Sequence, residues 1–316
     1  MSSPSLASVS STVRLGYACI NTVLHARKPK ITCNRGMIKR TFGTKGIEYA
    51  SYLALQNTQD LVEIIKWNHD YNIQVFRITS SLFPWGSEYE LEDLPDFDLI
   101  KSNLETAGIL ARQYHQRLSF HPGPFNILAS PNPAVVKNAC KELEMHGKIF
   151  DLMAMPQDHW SKINIHVGAA YGDHKRSLER WCNNFENLSS AVKNRLTVEN
   201  DDKKNLYSTK MLYDGIYKRI QVPIVFDSHH FECGPQDISY EDSLSLAIET
   251  WPANVKPQCH HSNSRKKYED STCLASEHSS WYYTPFNSCG HTVDVVLECK
   301  MKEQALFAYR RKWASE

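Results

Sequence analysis

The sequence predicts a single (β/α)8 barrel, because eight short β-type segments alternate with longer amphipathic segments along the chain. This alternation is typical of βα units and a parallel sheet. A chain of 316 residues has room for such a TIM barrel with insertions. A doubly wound open sheet is the main alternative, but it does not need eight such units. The sequence contains no GxGxxG or GxxxxGK[ST] phosphate loop, so we expect no nucleotide cofactor.

Each predicted strand is a short apolar run bounded by turn or polar residues. The second, fourth, sixth and eighth runs contain QVFRIT, KINIHV, VPIVFD and VDVVLE. The seventh run is the weakest, because Pro257 interrupts it. The eight strands are predicted at residues 13–18, 73–79, 117–121, 162–167, 195–199, 222–227, 254–260 and 293–298.

The predicted helices are the longer segments, in which apolar residues recur at helical spacing. In the first of them Leu61, Ile64 and Ile65 share one face, and Thr58 is the predicted N-cap. Residues 261–292 show little periodicity and are expected to fold over the mouth of the barrel. Helices are predicted at residues 56–71, 99–114, 134–153, in a segment that ends near 193, and at 206–218, 239–249 and 302–313.

Composition indicates an ordinary globular protein. Residues 1–12 are rich in serine and lack the features of a secretory signal, so we expect a disordered tail followed by one barrel domain over residues 13–316. No apolar run approaches the roughly 20 residues of a membrane helix. The nine cysteines form no CxxC pair, which fits reduced thiols. We expect an intracellular monomer, in a prokaryotic cytoplasm, or in the nucleus or mitochondrion of a eukaryotic-type host or in a viral setting.

The formal charge of +1 gives no overall basicity that would indicate nucleic-acid binding. A local basic run covers residues 25–46, which contain seven Lys and Arg residues and no Asp or Glu. On charge alone, a solvated loop is the better interpretation of this run.

Imidazoles and carboxylates collect at the ends of the predicted strands, where side chains of a barrel converge on one face. Any single one of them could simply bond the backbone, but six successive strand ends make that interpretation poor. Imidazole and carboxylate without thiolate suit zinc, manganese or iron(II), and the set is too large for one ion. The residues are His121, His166, Glu199, Asp227, His229, His230, His260, His261 and Glu298.

Two or three metal ions a few ångströms apart would suit hydrolysis of a phosphodiester. Such a group of ions can stabilise both the attacking and the leaving oxygen. It can also lower the pKa of bound water toward about 7.

The motifs resemble those of UV damage endonucleases. RLGYACIN, FHPGPF, NIHVGAAYGD, TVENDD, VFDSHHF, CHHS and VLECKMKEQAL follow the order and spacing of that family from about residue 14 to residue 309. The resemblance implies a barrel like that of endonuclease IV with a trinuclear metal cluster, usually manganese, with zinc, iron or magnesium as alternatives. It also implies DNA repair by hydrolysis immediately 5′ to UV photoproducts and abasic sites in duplex DNA, which leaves a 3′-hydroxyl and a 5′-phosphate.

The resemblance further implies site residues by matching position. Of the implied metal ligands, His166, Glu199, Asp227 and Glu298 would carry catalysis. The family pattern selects His230 as a ligand and leaves a structural role for His229. The implied ligands are Glu88, His121, His166, Glu199, Asp227, His230, His260, His278 and Glu298, and the implied DNA contacts are Tyr17, Asn21, Asn34, Arg35 and Phe125.

Three positions depart from the family pattern. Glu88 would have to replace a histidine, because PWGSE stands where many members read P-F-A-S-H. Gln258 replaces a lysine that can be carboxylated in some members. Pro124 and Phe125 replace a Gln-Tyr pair that probes the lesion; Phe125 can still stack on bases, at about 1–3 kcal/mol per base. We expect activity to survive with altered lesion discrimination.

Two other functions stay open. A metal-dependent sugar isomerase or epimerase shares the barrel and the His/Glu/Asp cluster, but the basic first loop and the loops that carry Trp85, Phe125 and Tyr171 favour a wide nucleic-acid groove. The changes at Glu88, Gln258 and Pro124 would also fit a catalytically inactive lesion-binding relative. The retention of eight ligand candidates argues against it.

Overall fold

The computed structural model describes residues 13–313. Its eight parallel strands form one sheet in the order β6-β5-β4-β3-β2-β1-β8-β7. The strands are β1 Val13–Ala18, β2 Val75–Ile78, β3 Arg117–Phe120, β4 Ile163–Ile165, β5 Leu196–Glu199, β6 Ile224–Val225, β7 Gln258–His261 and β8 Val293–Leu297.

The two end strands of this order, β6 and β7, meet through a narrow link. The backbone N–H of His260 donates to the carbonyl oxygen of Phe226 at 2.9 Å, and Asp227 and His260 form an isolated parallel bridge. The sheet is therefore a nearly closed barrel, and the predicted TIM-barrel fold is confirmed. Strand β7 begins only after Pro257, which has no N–H to donate but accepts a hydrogen bond from Asp294.

Helices lie between the strands. Short 3₁₀ turns at Gly86–Glu88, Leu91–Asp93 and His159–Ser161 and a π-helical turn at Tyr213–Tyr217 accompany them. No helix among residues 13–313 combines the length and apolar composition that crossing a bilayer requires. The helices are α1 Thr22–His25, α2 Lys39–Asp70, α3 Phe97–Gln113, α4 Pro133–Leu152, α5 His174–Phe185, α6 Ser190–Lys193, α7 Thr209–Leu212, α8 Lys218–Ile220, α9 Ser228–Cys233, α10 Tyr240–Glu249, α11 Arg265–Tyr268 and α12 Lys302–Trp313.

Helix α2 starts far earlier than predicted. It begins at Lys39 and bends at Gly46, whose φ of 66° lies in the left-handed region. Thr58 is therefore an interior residue and not the N-cap, and its hydroxyl donates to the carbonyl oxygen of Ala54 at 3.0 Å. Residues 39–46 include two glycines and two threonines, which are weak helix formers, so the sequence does not signal this first section.

Alternate strand residues point to the surrounding helices and to the barrel interior. Those that point outward, such as Phe76 and Phe120, join the main apolar core. Inside the barrel, Ala18, Val75 and Val296 form a small separate apolar cluster. It lies between two polar layers, one at each end of the barrel.

The polar layer at the amino-terminal end of the strands balances one carboxylate with three cations. Asp294 accepts two hydrogen bonds from Arg14, at 2.7 and 2.6 Å, and one from Arg117 at 3.1 Å, while Lys256 Nζ lies 3.3 Å away. Asp294 and Arg117 are fully buried. Burial alone would raise the pKa of Asp294, but the hydrogen bond from Arg14 and the positive charges of Arg117 and Lys256 lower it.

We predict that Asp294→Asn destabilises the fold at neutral pH. The substitution leaves Arg117 buried without its carboxylate, and breaking such a pair costs about 3–5 kcal/mol. Because the folded-state pKa of Asp294 is lowered, its stabilisation is present above the unfolded pKa of about 3.9 and is lost as the pH falls through the folded value. Urea unfolding of both proteins should show a large difference in the free energy of unfolding at pH 7 that shrinks in acid.

The matched control for this prediction is Asp214→Asn. Asp214 is a surface carboxylate paired with Lys210 and Lys218. Its loss should cost less than about 1 kcal/mol. Equal losses in the two variants would mean that the buried network does not stabilise the barrel.

Candidate metal centre

The carboxyl ends of six strands bring imidazoles and carboxylates together at the barrel mouth. Glu199 ends β5, His260 lies in β7, and His121, His166 and Glu298 directly follow β3, β4 and β8. Asp227 comes two residues after β6 as the N-cap of helix α9, and His230 lies in that helix. Because the buried apolar strands hold the backbone at each position, the side chains converge. The residues are His121 after β3, His166 after β4, Glu199, Asp227 and His230 after β6, His260, and Glu298 after β8.

Glu199 lies at the centre of this cluster and is fully buried. Its Oε2 atom lies 2.9 Å from Nε2 of His121 and 3.8 Å from Nε2 of His166. Its Oε1 atom lies 3.1 Å from Nδ1 of His260 and 3.3 Å from Nδ1 of His230. One carboxylate therefore contacts four imidazoles that come from four different strand ends.

The barrel interior holds Glu199 in place from its own side. Asn164 donates a hydrogen bond from its amide to Oε2 of Glu199, and Thr197 donates to the amide oxygen of Asn164 at 2.8 Å. All three residues are buried. This chain of hydrogen bonds orients the central carboxylate independently of the imidazoles.

A second group lies on the β6 and β8 side of Glu199. Glu298 Oε1 lies 3.1 Å from Nδ1 of His260 and also pairs with Arg77. Asp227 caps helix α9 by accepting backbone N–H donors at 2.7 and 2.8 Å on Oδ1. Its Oδ2 atom is buried and has no hydrogen-bond partner among the described residues.

These residues fit metal ions. The ligand atoms of His121, His166 and Glu199 lie within 4.8 Å of one another, and so do those of Glu199, Asp227 and His260. The two triads share Glu199. Nitrogen and carboxylate donors suit zinc, manganese and iron(II), and the unpaired Oδ2 of Asp227 offers a free lone pair to such an ion.

The ring orientations also fit metal binding. The Nδ1 atom of His121 lies 3.2 Å from the carbonyl oxygen of Pro122, and that of His166 lies 3.3 Å from Oδ1 of Asp201. A proton on each Nδ1 would satisfy these oxygens and leave Nε2 free on the side of Glu199. Carboxylate or carbonyl support of this kind is typical of histidines that bind metals.

The electrostatics of the cluster favour cations. Burial opposes ionisation of Glu199, but the imidazoles of His260, His166 and His121 hold its pKa well below the usual range. Burial lowers the pKa of His121 to about 4. His166 behaves differently: burial lowers its pKa, but Glu199, Asp201 and Asp227 outweigh this and raise it to about 10. Glu199 is therefore ionised and His121 neutral, which are the forms that bind metals, whereas His166 would have to lose its proton to bind one.

A buried lysine that the sequence analysis did not name also contacts the cluster. Lys162 is fully buried, and its Nζ lies 3.1 Å from Nε2 of His260. Burial lowers the pKa of Lys162 to about 7. Gln258, predicted to replace a family lysine, is buried with both amide atoms unpaired among the described residues. This barrel therefore carries its interior lysine just before β4 and not on β7.

Glu88 is not brought to the cluster, which contradicts its predicted role as a ligand. It is exposed in the turn Gly86–Glu88, and no side-chain hydrogen bond or ion pair joins it to the described cluster residues. On the β2 side, the cluster instead contacts Arg77 through Glu298. The family position is therefore not filled by this carboxylate.

The structure separates the two neighbouring histidines His229 and His230. Only His230 contacts Glu199. His229 is buried, its Nε2 has no hydrogen-bond partner within residues 13–313, and its ring centroid lies 5.4 Å from that of His278. His278 is held at the edge of the cluster by a 2.6 Å contact between its Nδ1 and Ser262 Oγ. Its ligand role stays a prediction.

His261 has a structural environment. Its Nδ1 lies 2.7 Å from Ser228 Oγ, and its Nε2 lies 3.1 Å from the carbonyl oxygen of Thr284. Burial lowers the pKa of His261 to about 4. Of the paired histidines on β7, only His260 therefore points toward Glu199.

Two of the predicted DNA contacts lie in the core. Tyr17 is fully buried and donates to Oδ1 of Asn68 at 2.8 Å. Asn21 is almost fully buried, donates to the Tyr17 hydroxyl at 3.0 Å and accepts from the backbone N–H of Leu24 at 2.9 Å. This placement contradicts direct DNA contact by either side chain, and both instead hold the first loop.

The other three predicted DNA contacts differ in accessibility. Asn34 is half-buried and accepts a hydrogen bond from Thr32 at 2.5 Å. Arg35 forms a 2.7 Å ion pair with Asp60. Phe125, by contrast, is 83% exposed after β3. A cavity of about 590 Å³ opens beside it, lined by the loops after β3, β4 and β5 together with His166 and His230.

Comparison with known proteins identifies the family. A family model described as UV-endonuclease UvdE matches residues 13–315. The chain belongs to this family. A UV-damage endonuclease of Schizosaccharomyces pombe is 33% identical over 309 residues, which are 95% of this chain and 50% of that protein. This UV-endonuclease family chain therefore spans half the length of its fungal relative.

Two further comparisons cover nearly all of both chains. A UV DNA damage endonuclease of Bacillus cereus is 29% identical over 303 residues, which are 93% of this chain and 92% of that protein. The crystal structure of SacUVDE matches with a TM-score of 0.80 and 25% identity, and covers 96% of this chain and 98% of that chain.

We predict that His230→Ala lowers the metal content of the purified protein, whereas His229→Ala leaves it unchanged. The reason is that, of these two histidines, only His230 contacts Glu199. Elemental analysis after loading with Mn²⁺ gives the metal content, and circular dichroism confirms that both variants are folded. A loss of metal in His229→Ala alone would exchange the roles of the two residues.

Proposed function

We propose that this protein is a metal-dependent DNA-repair endonuclease that hydrolyses the phosphodiester immediately 5′ to UV photoproducts and other lesions in duplex DNA. The products would be a 3′-hydroxyl and a 5′-phosphate. The observation that carries the proposal is the pair of His/carboxylate triads that share Glu199, at the mouth of a barrel from the UV-endonuclease family.

The proposal includes two or three divalent ions, Mn²⁺ first, with zinc, iron and magnesium as alternatives. His121, His166 and Glu199 would hold one ion, and Glu199, Asp227 and His260 would hold another. When bound, such ions supply positive charge that stabilises both the attacking and the leaving oxygen of a phosphodiester. His230, His278 and Glu298 surround these triads and would complete the set of ligands.

The chain's own residues orient the ligands and balance their charge. Asp201 Oδ1 lies 3.3 Å from His166 Nδ1, and a proton on that nitrogen would leave Nε2 free on the side of Glu199. Arg77 pairs with Glu298 and keeps that buried carboxylate ionised, since burial alone would raise its pKa. Residues of this kind, one step removed from the ions, commonly change metal affinity or activity by about 10–100-fold.

Phe125 is the proposed contact with the damaged bases. It is exposed beside the cavity that adjoins His166 and His230, and aromatic side chains stack on bases of any sequence. Pro124 offers no amide donor, so this loop would recognise the bases through stacking and not through hydrogen bonds. Because the substrate is cellular DNA, we place the protein inside the cell, acting as a monomer with one barrel domain.

A sugar isomerase or epimerase would require a more enclosed active site at the barrel mouth. Such an enzyme encloses a small polyol, whereas here the cluster adjoins an open cavity beside a strongly exposed Phe125. An aromatic side chain as exposed as this one does not help to enclose a small substrate but can stack on a base. The endonuclease is therefore the function that the geometry supports best.

We predict that the Mn²⁺-loaded protein incises irradiated duplex DNA and leaves unirradiated duplex intact. His166→Ala and Glu199→Ala should each lower the rate below about one hundredth of the wild-type value, because each removes a ligand and not merely its support. A gel assay on 5′-labelled DNA gives the rate and the site of cleavage.

The matched control for this experiment is Glu105→Ala, which removes an exposed carboxylate of α3. It should incise at the wild-type rate. A wild-type protein that binds irradiated duplex but incises it with none of the four metals would identify the lesion-binding relative instead. Near-normal rates in both cluster variants would place the active site elsewhere.

We predict that Phe125→Ala weakens binding to irradiated duplex by about 5- to 150-fold, which corresponds to the loss of one stacked base. Its metal content should stay normal, because Phe125 contacts no cluster residue. Fluorescence anisotropy with irradiated duplex gives the affinity, and Ile109→Ala, which removes an exposed apolar side chain of α3, is the control. Unchanged affinity in Phe125→Ala would exclude a probing role for this loop.

A further inference from the structure

The basic first loop divides into a held part and a free part. Arg35 belongs to the held part. Its guanidinium forms a 2.7 Å ion pair with Asp60 and donates to the backbone carbonyl oxygen of Lys30 at 3.0 Å. Its backbone N–H and carbonyl groups both pair with the side-chain amide of Asn57 at 2.9 Å. The charge of Arg35 is therefore neutralised inside the protein.

The other six cations of the loop are free. Each is exposed, and none forms an ion pair with any residue between 13 and 313. The chain contains no Asp or Glu before Glu48, and Glu48 forms no ion pair with any of these cations. Lys45 has one contact, over the ring of Tyr49 at 4.1 Å. The six residues, named here the first-loop cations, are Arg27, Lys28, Lys30, Lys39, Arg40 and Lys45.

The first-loop cations lie at the same end of the barrel as the metal centre. The loop leaves β1 at its carboxyl end, where the backbone N–H of Cys19 donates to the carbonyl oxygen of Arg77 at 2.7 Å. Arg77 in turn pairs with Glu298 of the cluster. One hydrogen bond and one ion pair thus connect the start of this loop to the metal centre.

The free part of the loop is also packed and not merely tethered. The indole of Trp85 donates to the carbonyl oxygen of Met37 at 2.9 Å, and the rings of Phe42 and Trp85 stack with centroids 6.2 Å apart. The first section of α2 is therefore attached to the loop after β2. Cations on such a support lose little conformational freedom when they bind an anion.

The placement of Lys39 and Arg40 opposes the local stability of the helix. Both lie in the first turn of α2, which contains no acidic residue, and Ile38 supplies no side-chain cap. The helix dipole disfavours cations at this end. Local arrangements that lower stability and bring no compensating structural interaction are typical of functional surfaces.

We propose that the first-loop cations form the surface that binds the phosphates of a DNA duplex next to the cleavage site. Arg35, which the family resemblance implies as a DNA contact, serves instead to position this surface. A polyanion fits better than a small ion, because the six charges are distributed over two segments of chain. The proposal rests on the proposed function, since it takes the same duplex as the partner.

The test is the salt dependence of DNA binding. Each lost phosphate contact should reduce the slope of log affinity against log salt concentration by about 0.9. We expect the triple variant Lys39→Gln/Arg40→Gln/Lys45→Gln to lose up to about 2.7 of this slope. Its affinity at low salt should fall at least tenfold, equally for irradiated and unirradiated duplex of one length. Its metal content should stay at the wild-type value.

A matched triple variant controls for the loss of charge alone. Lys66, Lys101 and Lys210 are exposed lysines on outer helices, each paired with a carboxylate of its own helix or of the turn that continues it. Changing these three to Gln should leave both slope and affinity within about twofold of wild type. Equal losses in both triple variants would overturn the proposed surface.

The outcomes separate this surface from the proposed function. A wild-type protein that binds duplex with a steep salt slope but never incises it would support the surface and defeat the endonuclease. A first-loop variant with wild-type affinity and slope would overturn the surface even if the wild-type protein incises DNA. A wild-type protein whose duplex binding does not depend on salt would overturn the surface as well.

Discussion

The structure depends on the burial of a negative charge at Glu199. A carboxylate removed from water is costly unless cations or donors surround it. Here four imidazoles, an amide and the adjoining strand ends supply that environment. The opposite end of the barrel follows the same rule, with Asp294 among Arg14, Arg117 and Lys256. The apolar cluster of Ala18, Val75 and Val296 lies between these layers, so each layer has to balance its own charge.

The charge balance at the mouth of the barrel differs in one respect from that at its base, the amino-terminal end of the strands. At the base Arg14 and Arg117 hydrogen-bond the carboxylate directly and Lys256 lies within ion-pair distance, so the layer is complete as it stands. At the mouth the surrounding groups are imidazoles, which can give up a proton, and one oxygen of Asp227 has no donor among residues 13–313. A layer with removable protons and an unpaired carboxylate oxygen is suited to exchange protons for metal ions. The base therefore stabilises the barrel, and the mouth is open to chemistry.

Much of the fold and of the cluster could be predicted from the sequence, because both follow from residues next to one another in the chain. An apolar run and the polar residue that ends it, as in Glu199 or Asp227, define a strand end directly. In KINIHV, Lys162, Asn164 and His166 alternate and therefore share one face of the strand. This pattern does not by itself indicate a buried Lys162, because a lysine is rarely buried inside an apolar barrel. The roles of Tyr17, Asn21 and Arg35 could not be read at all. The partners of Tyr17 and Arg35 are Asn68 and Asp60, which lie far away in sequence, and only the folded helix α2 brings them close. Asn21 is placed through its hydrogen bond to Tyr17.

Three kinds of interaction with DNA depend on three different properties of the side chains involved. Phosphate contacts depend on exposed charge, base contacts on exposed aromatic surface, and hydrolysis on buried ligands. In this barrel the proposed contacts come from different segments: the first loop, the loop after β3 and the strand ends. Matching a family position by position assumes that each residue keeps its environment, yet here Arg35 is paired with Asp60 while Arg40 and Lys45 are exposed without an ion pair among residues 13–313. The proposed binding of a duplex can therefore vary through the loops, while the buried charges of the candidate metal centre remain constrained by the barrel itself.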